Sequence, residues 1–150
     1  TQQLYRAMLL LLKSKGARDF QSGFPASKSG AAQYLLEEHH IFPSNSKVGK
    51  TIRARYADHR LADILNNVAN IALITQVTNR TKIHNRNPSD YITELESEYR
   101  SSGKLDEFMG IMESQFISQE MIEMLKRDDF DEFMVARTNR LAAQIEALCA

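Results

Sequence analysis

Tyr34-Leu35-Leu36-Glu37-Glu38-His39-His40-Ile41-Phe42-Pro43 and Ala69-Asn70-Ile71-Ala72-Leu73-Ile74-Thr75 are the two stretches whose reading decides the fold. The first is short, bounded by turn residues and stopped by Pro43, which has no N–H to give a ladder; the second is rich in β-branched and aliphatic side chains. Each predicts a strand, over residues 35–42 and 69–75. Outward from this pair the spacing is helical. Leu4, Met8, Leu11 and Leu12 recur at i, i+4, i+7 and i+8 and predict a helix stopped by Gly16. Residues 16–33, with Gly16, Gly23, Pro25, Gly30 and several Ser, read as a loop. Residues 44–56 are polar and basic without a clear period, and Leu61, Ile64, Leu65 and Val68 then predict a second amphipathic helix. Asp58 and His59, an acid/His pair, would sit on the solvated face of that helix.

After the second predicted strand, the polar segment from Gln76 to Arg86 has room for a short helix. Asn87 as N-cap, Pro88 at the first helical position, and Asp90 and Glu94 near the positive end predict a helix over 88–100. Gly103 breaks it. Two further helical pieces follow, Leu105 to Phe116 and Glu120 to Leu148, the second interrupted at Asp128-Asp129. The expected class is mainly α with a small embedded β-hairpin.

Composition bounds the partners. The chain of 150 residues is 43% hydrophobic and 25% charged, enough to bury a core without a disulfide or metal staple. The longest apolar run, Ala7 to Leu12, is far short of the roughly 20 residues that span a bilayer, and no signal peptide is visible. The one cysteine, Cys149, excludes an internal disulfide framework and fits a reducing, cytoplasmic setting. Met109, Met112, Met121, Met124 and Met134 are simplest as core.

The formal net charge is zero, which read whole argues against a polyanion partner. Cut near Asn87-Pro88, it separates into a first part with thirteen basic residues against five acids, net +8, and a remainder at −8. That asymmetry points to a basic half suited to DNA, although charge alone fits two differently solvated faces equally well.

Four histidines occur and two are adjacent, His39 and His40. Alone the pair is weak evidence for a site. It gains meaning from order: His39-His40-Ile41-Phe42-Pro43, then Asn70 opening an apolar strand, then Asn79-Arg80-Thr81-Lys82 on the polar segment. This order resembles the HNH, or ββα-metal, endonuclease motif, and is most similar to the C-terminal HNH domain of GmrSD-like, modification-dependent restriction proteins. The likeness extends to the preceding helix, to HHIFP (39–43), ANIALIT (69–75) and TNRTKIHNRNPSDYI (78–92), and to the helical C-terminal region, so it takes in most of the chain.

The resemblance implies a ββα-metal core at 34–86, carrying a basic insertion, between an N-terminal helix and loop (1–33) and an acidic helical region (87–150), all in one nuclease domain cut from a longer protein. It implies that His40 is the general base that takes a proton from water, a task suited to an imidazole near pKa 6.5. His39 and Asn79 would be ligands of one divalent ion, and Asn70 would brace the loop that orients the base. Arg80, Lys82 and Arg86 would hold phosphates beside the cut. Many relatives place a second ligand four residues after the Asn79 position, where this chain has Ile83. His84, one residue on, falls roughly 140° from the ligand face of a regular helix and is expected to contact phosphate or act from behind the ligands. A ligand set this sparse suits Mg²⁺ or Mn²⁺. The expected partners are DNA and an N-terminal sensing domain outside this chain, and any NTP dependence would lie outside it too. The expected setting is defence against foreign DNA. A catalytically inactive HNH-fold nucleic-acid-binding or interaction module is the alternative.

Overall fold

The computed structural model describes residues 2–26, 34–58 and 60–150. The fold is mainly helical around one two-stranded antiparallel sheet: α1 (Gln2–Ser14), β1 (Leu36–His40), α2 (Lys47–Arg55), β2 (Ile71–Thr75), α3 (Gln76–Thr78), α4 (Pro88–Ser101), α5 (Leu105–Ser114), α6 (Gln119–Lys126) and α7 (Phe130–Cys149). Among the described residues no helix is long and apolar enough to cross a membrane. Residues 27–33 of the expected loop, and His59, lie outside the described residues.

Antiparallel pairing sets Leu36 opposite Thr75, Glu38 opposite Leu73 and His40 opposite Ile71. All five residues of β2 are buried, whereas β1 is open along Glu37 and Glu38, so β2 is the inner strand. A two-stranded sheet leaves the far edge of its inner strand with unpaired backbone groups, which are costly when buried. Three remote side chains satisfy them. Asp19 Oδ1 accepts from Thr75 N at 2.7 Å. Gln115 both accepts from Leu73 N at 2.9 Å and donates to Leu73 O at 2.6 Å. Arg137 donates to Ala69 O at 2.8 Å and to Ile71 O at 2.6 Å. All three side chains are fully buried, so together they stand where a third strand would be. Arg137 completes its hydrogen bonding on Gln115 O, and desolvation pushes its guanidinium down to about 9.

The segment after β1 is fixed to the helices by aromatic packing. Phe42 meets Phe130 edge-on with ring centroids 5.2 Å apart and lies 5.7 Å from Phe133, which anchors it to α7.

Three expectations differ from the structure. Residues 61–68 do not form a helix: turns lead into short 3-10 pieces at Ile64–Asn66 and Val68–Asn70, and Leu61 stays exposed. Their apolar spacing fixed only Leu65 in the core, since one short turn is enough to bury one side chain. Residues 44–56, expected to be irregular, contain α2, capped by Ser46, whose hydroxyl accepts from Gly49 N. Its period is faint because Gly49 and Ile52 alone are buried. The strands are also shorter than the stretches that predict them, with Asn70 in the turn before β2. The interruption at Asp128-Asp129 is present: Asp128 takes a left-handed φ of 54° between α6 and α7, and Asp129 caps α7.

Candidate active site

β1 ends at His40, so the two histidines leave the sheet where the chain turns toward Pro43. Asn70 holds that turn. Fully buried, its Oδ1 accepts from Phe42 N at 2.8 Å, and its Nδ2 donates to Phe42 O at 3.2 Å and to Leu65 O at 2.8 Å. Its own carbonyl accepts from Ile41 N, and the Tyr91 hydroxyl from α4 donates to Ile41 O. Asn70 thus braces the backbone next to His40 without touching the ring. The contact to the ring comes from Asn66, whose Oδ1 lies 2.9 Å from His40 Nε2. The amide thus occupies Nε2 and leaves Nδ1 as the other ring nitrogen. Neither Asn66 nor Tyr91 stood out in the sequence as part of the site; a Tyr three residues after a helix-opening Pro was the only signal.

His39 is half-buried, and its Nε2 is buried with no hydrogen-bond partner among the described residues. Burial holds this imidazole below its ordinary range, with the His40 ring adding to the effect; Glu37, 3.9 Å from Nε2, opposes it. A buried nitrogen without a partner is costly unless something completes it.

Asn79 follows directly on α3. Thr75 caps this short helix through Thr78 N, and Thr78 donates its hydroxyl to buried Asp19 at 2.7 Å, which fixes the step into Asn79. From Asn79 to Ile83 the backbone is π-helical, closed by His84 N donating to Asn79 O at 2.7 Å. Ile83 is 1% exposed and belongs to the core. The expectation that His84 lies far from the Asn79 face rests on a regular helix and does not apply here, because an i→i+5 bond brings the fifth residue back over the first. His39, His40, Asn79 and His84, with Pro43, Ser44 and Asn85, line one polar cleft of about 170 Å³. A second, more open recess of about 500 Å³ is also lined by His39 and His40, together with Tyr5, Glu38, Asn66 and Ile71.

The three basic residues differ. Arg80 is exposed and has no partner among the described residues. Lys82 is held by Glu98 at 2.5 Å and Glu94 at 3.7 Å, and Arg86 by Glu94 at 2.5 Å. A phosphate at Lys82 or Arg86 would have to compete with carboxylates of α4.

No three His, Cys, Asp or Glu side chains gather to hold a metal among the described residues. The donors facing the cleft are imidazoles and a carboxamide, and the orphaned His39 Nε2 fits a divalent ion as its missing partner.

Fold and cleft together define a mainly helical domain that sets an imidazole pair and an amide around one polar hollow. No protein-family model matches the chain, and no solved structure matches it. It is 32% identical over 103 residues to an uncharacterised protein of Methanocaldococcus jannaschii, a match that takes in 65% of this chain and 16% of the relative. The chain therefore spans a small part of that relative's length.

Proposed function

We propose that this chain is a metal-dependent endonuclease domain that hydrolyses phosphodiester bonds of DNA. The observation that carries the reading is the convergence of His39, His40, Asn79 and His84, from two separate stretches of chain, on one polar cleft. In this reading His40 takes the proton from the attacking water, with Asn66 fixing the ring through Nε2 and leaving Nδ1 to act as base. Asn70 positions His40 by locking the Phe42 peptide behind it. His39 and Asn79 would hold one divalent ion, which would supply charge neutralisation at the scissile phosphate and stabilise the leaving oxygen. Exposed Arg80 would hold the neighbouring phosphate.

The resemblance that suggests this activity also suggests a role in defence against foreign DNA, with recognition supplied by another part of a longer protein, and the single cysteine fits a reducing, cytoplasmic setting. Plasmid incubated with the chain and Mg²⁺ or Mn²⁺ tests the activity. Wild type is expected to nick or linearise it and His40→Ala to leave it intact. If both proteins leave the plasmid whole while shifting it on a gel, the nuclease reading fails and a non-catalytic binding module takes its place.

A further inference from the structure

On a regular helix the side chain that shares a face with Asn79 is that of Ile83, and Ile83 is in the core. The helix as a plain α-helix would therefore offer a single donor. It is not plain: the π-turn ends with His84 N bonded to Asn79 O, so His84 rather than Ile83 completes the turn above Asn79. The backbone is strained to do this. His84 has φ 29° and ψ 67°, and Asn85 follows at φ 60°, two successive left-handed residues that are not glycine. Beyond that backbone bond, neither the His84 ring nor the Asn79 carboxamide has a partner among the described residues. Both face the cleft that also takes in His39, whose Nε2 is buried and unpartnered. His39, with its orphaned nitrogen, half-buried Asn79 and exposed His84 thus line one small hollow.

We propose that His84, brought round by the π-turn, is a third protein donor to the ion assigned to His39 and Asn79, and that two imidazoles with one amide make the site prefer a borderline transition-metal ion such as Co²⁺ or Zn²⁺ over Mg²⁺. This rests on the metal site of the proposed nuclease and goes beyond it in the ligand set and the ion. Mg²⁺ favours oxygen donors and keeps its water, whereas imidazole nitrogen favours the later ions of the first transition row. His84 accordingly leaves the role of a phosphate contact.

The test is direct metal binding, with Co²⁺ followed by its visible absorption and Co²⁺ and Mg²⁺ compared by calorimetry. His84→Gly is the informative variant, because glycine adopts the left-handed backbone without strain and removes only the ring, so the fold is expected to be kept or strengthened. His39→Ala serves as the reference for a lost ligand. Wild type is expected to bind Co²⁺ more tightly than Mg²⁺. His84→Gly is expected to lose at least about tenfold in Co²⁺ affinity, the least that loss of even an outer partner of a metal site costs, with an unchanged circular dichroism spectrum. If His84→Gly binds Co²⁺ as tightly as wild type while His39→Ala does not, His84 is no ligand and the nuclease site stands without it. Equal affinity of wild type for Mg²⁺ and Co²⁺ overturns the ion preference. If wild type binds no divalent ion and leaves plasmid intact, the proposal falls together with the nuclease reading.

Discussion

His40 is held by two asparagines that act differently. Asn66 touches the ring at 2.9 Å and is exposed, while Asn70 is buried and touches only backbone. Their substitutions should separate accordingly. Asn70→Ala leaves the Phe42 peptide and Leu65 O without partners, a loss of about 1–3 kcal/mol for an unsatisfied buried group, read as a lower urea midpoint, with cleavage reduced beyond what unfolding explains. Asn66→Ala should leave stability within about 0.5 kcal/mol, as surface changes do, and act on turnover alone. Equal stability loss in the two variants would contradict this division. Asn70 was legible only through the family resemblance, which implies a bracing amide where the second strand opens. Asn66 was not, since in a polar stretch one Asn looks like the next, and its contact to His40 crosses 26 residues.

The elements around the cleft are packed more closely than their polarity suggests. A Cβ added at Gly49 in α2 would meet Pro43 O at 1.9 Å, so the helix rests on the turn that carries the cleft wall. Gly49→Ala is expected to destabilise by about 1–3 kcal/mol, the usual cost of overpacking, and to disturb the cleft; an unchanged melting temperature would show that the turn yields freely. At the far edge of β2, Gln115→Leu keeps the volume but leaves both polar groups of Leu73 and the Arg18 carbonyl unpaired. A loss of about 1–3 kcal/mol follows for each group that water does not reach, measurable by denaturant unfolding. No reading of periodicity reveals either contact. α2 has too few buried positions to show a period, and the β2 edge is completed by residues 42 to 68 positions away.

The π-turn was hidden for a related reason. Hydrophobic spacing assumes a regular helix, and one extra residue in the turn moves Ile83 into the core and His84 to the cleft.

At the scale of the molecule the two charge halves are interlocked rather than apart. Glu94 and Glu98 from the acidic half pair with Lys82 and Arg86 of the basic half. The Arg86 guanidinium, hydrogen-bonded to Glu94, holds that carboxyl below its ordinary range. A carboxyl with a depressed folded pKa contributes stability above its unfolded value and loses it as pH falls through the folded one. The stability difference between wild type and Glu94→Gln should therefore shrink as pH drops below 4.5, from at most about 1 kcal/mol for so exposed a pair. The same two carboxylates shield cations from phosphate. Glu94→Gln with Glu98→Gln is expected to tighten DNA binding measured by fluorescence anisotropy, and wild-type affinity should fall with salt at a logarithmic slope of about −0.9 per phosphate engaged. Affinity indifferent to salt would count against a basic DNA-binding half.

The sequence by itself determined the mainly helical class, the two short strands, the break between α6 and α7, and the residue types available for chemistry, because composition, caps and local apolar patterns act within a few residues. Only the tertiary structure decided which side chains meet. Antiparallel pairing of β1 with β2 carries Asn70 to the Phe42 peptide, remote Asp19, Gln115 and Arg137 hold β2 in place of a third strand, and the π-turn sets His84 on the cleft that His39 also lines. Those contacts depend on long-range packing and on unsatisfied backbone groups finding partners far along the chain, which no local pattern encodes.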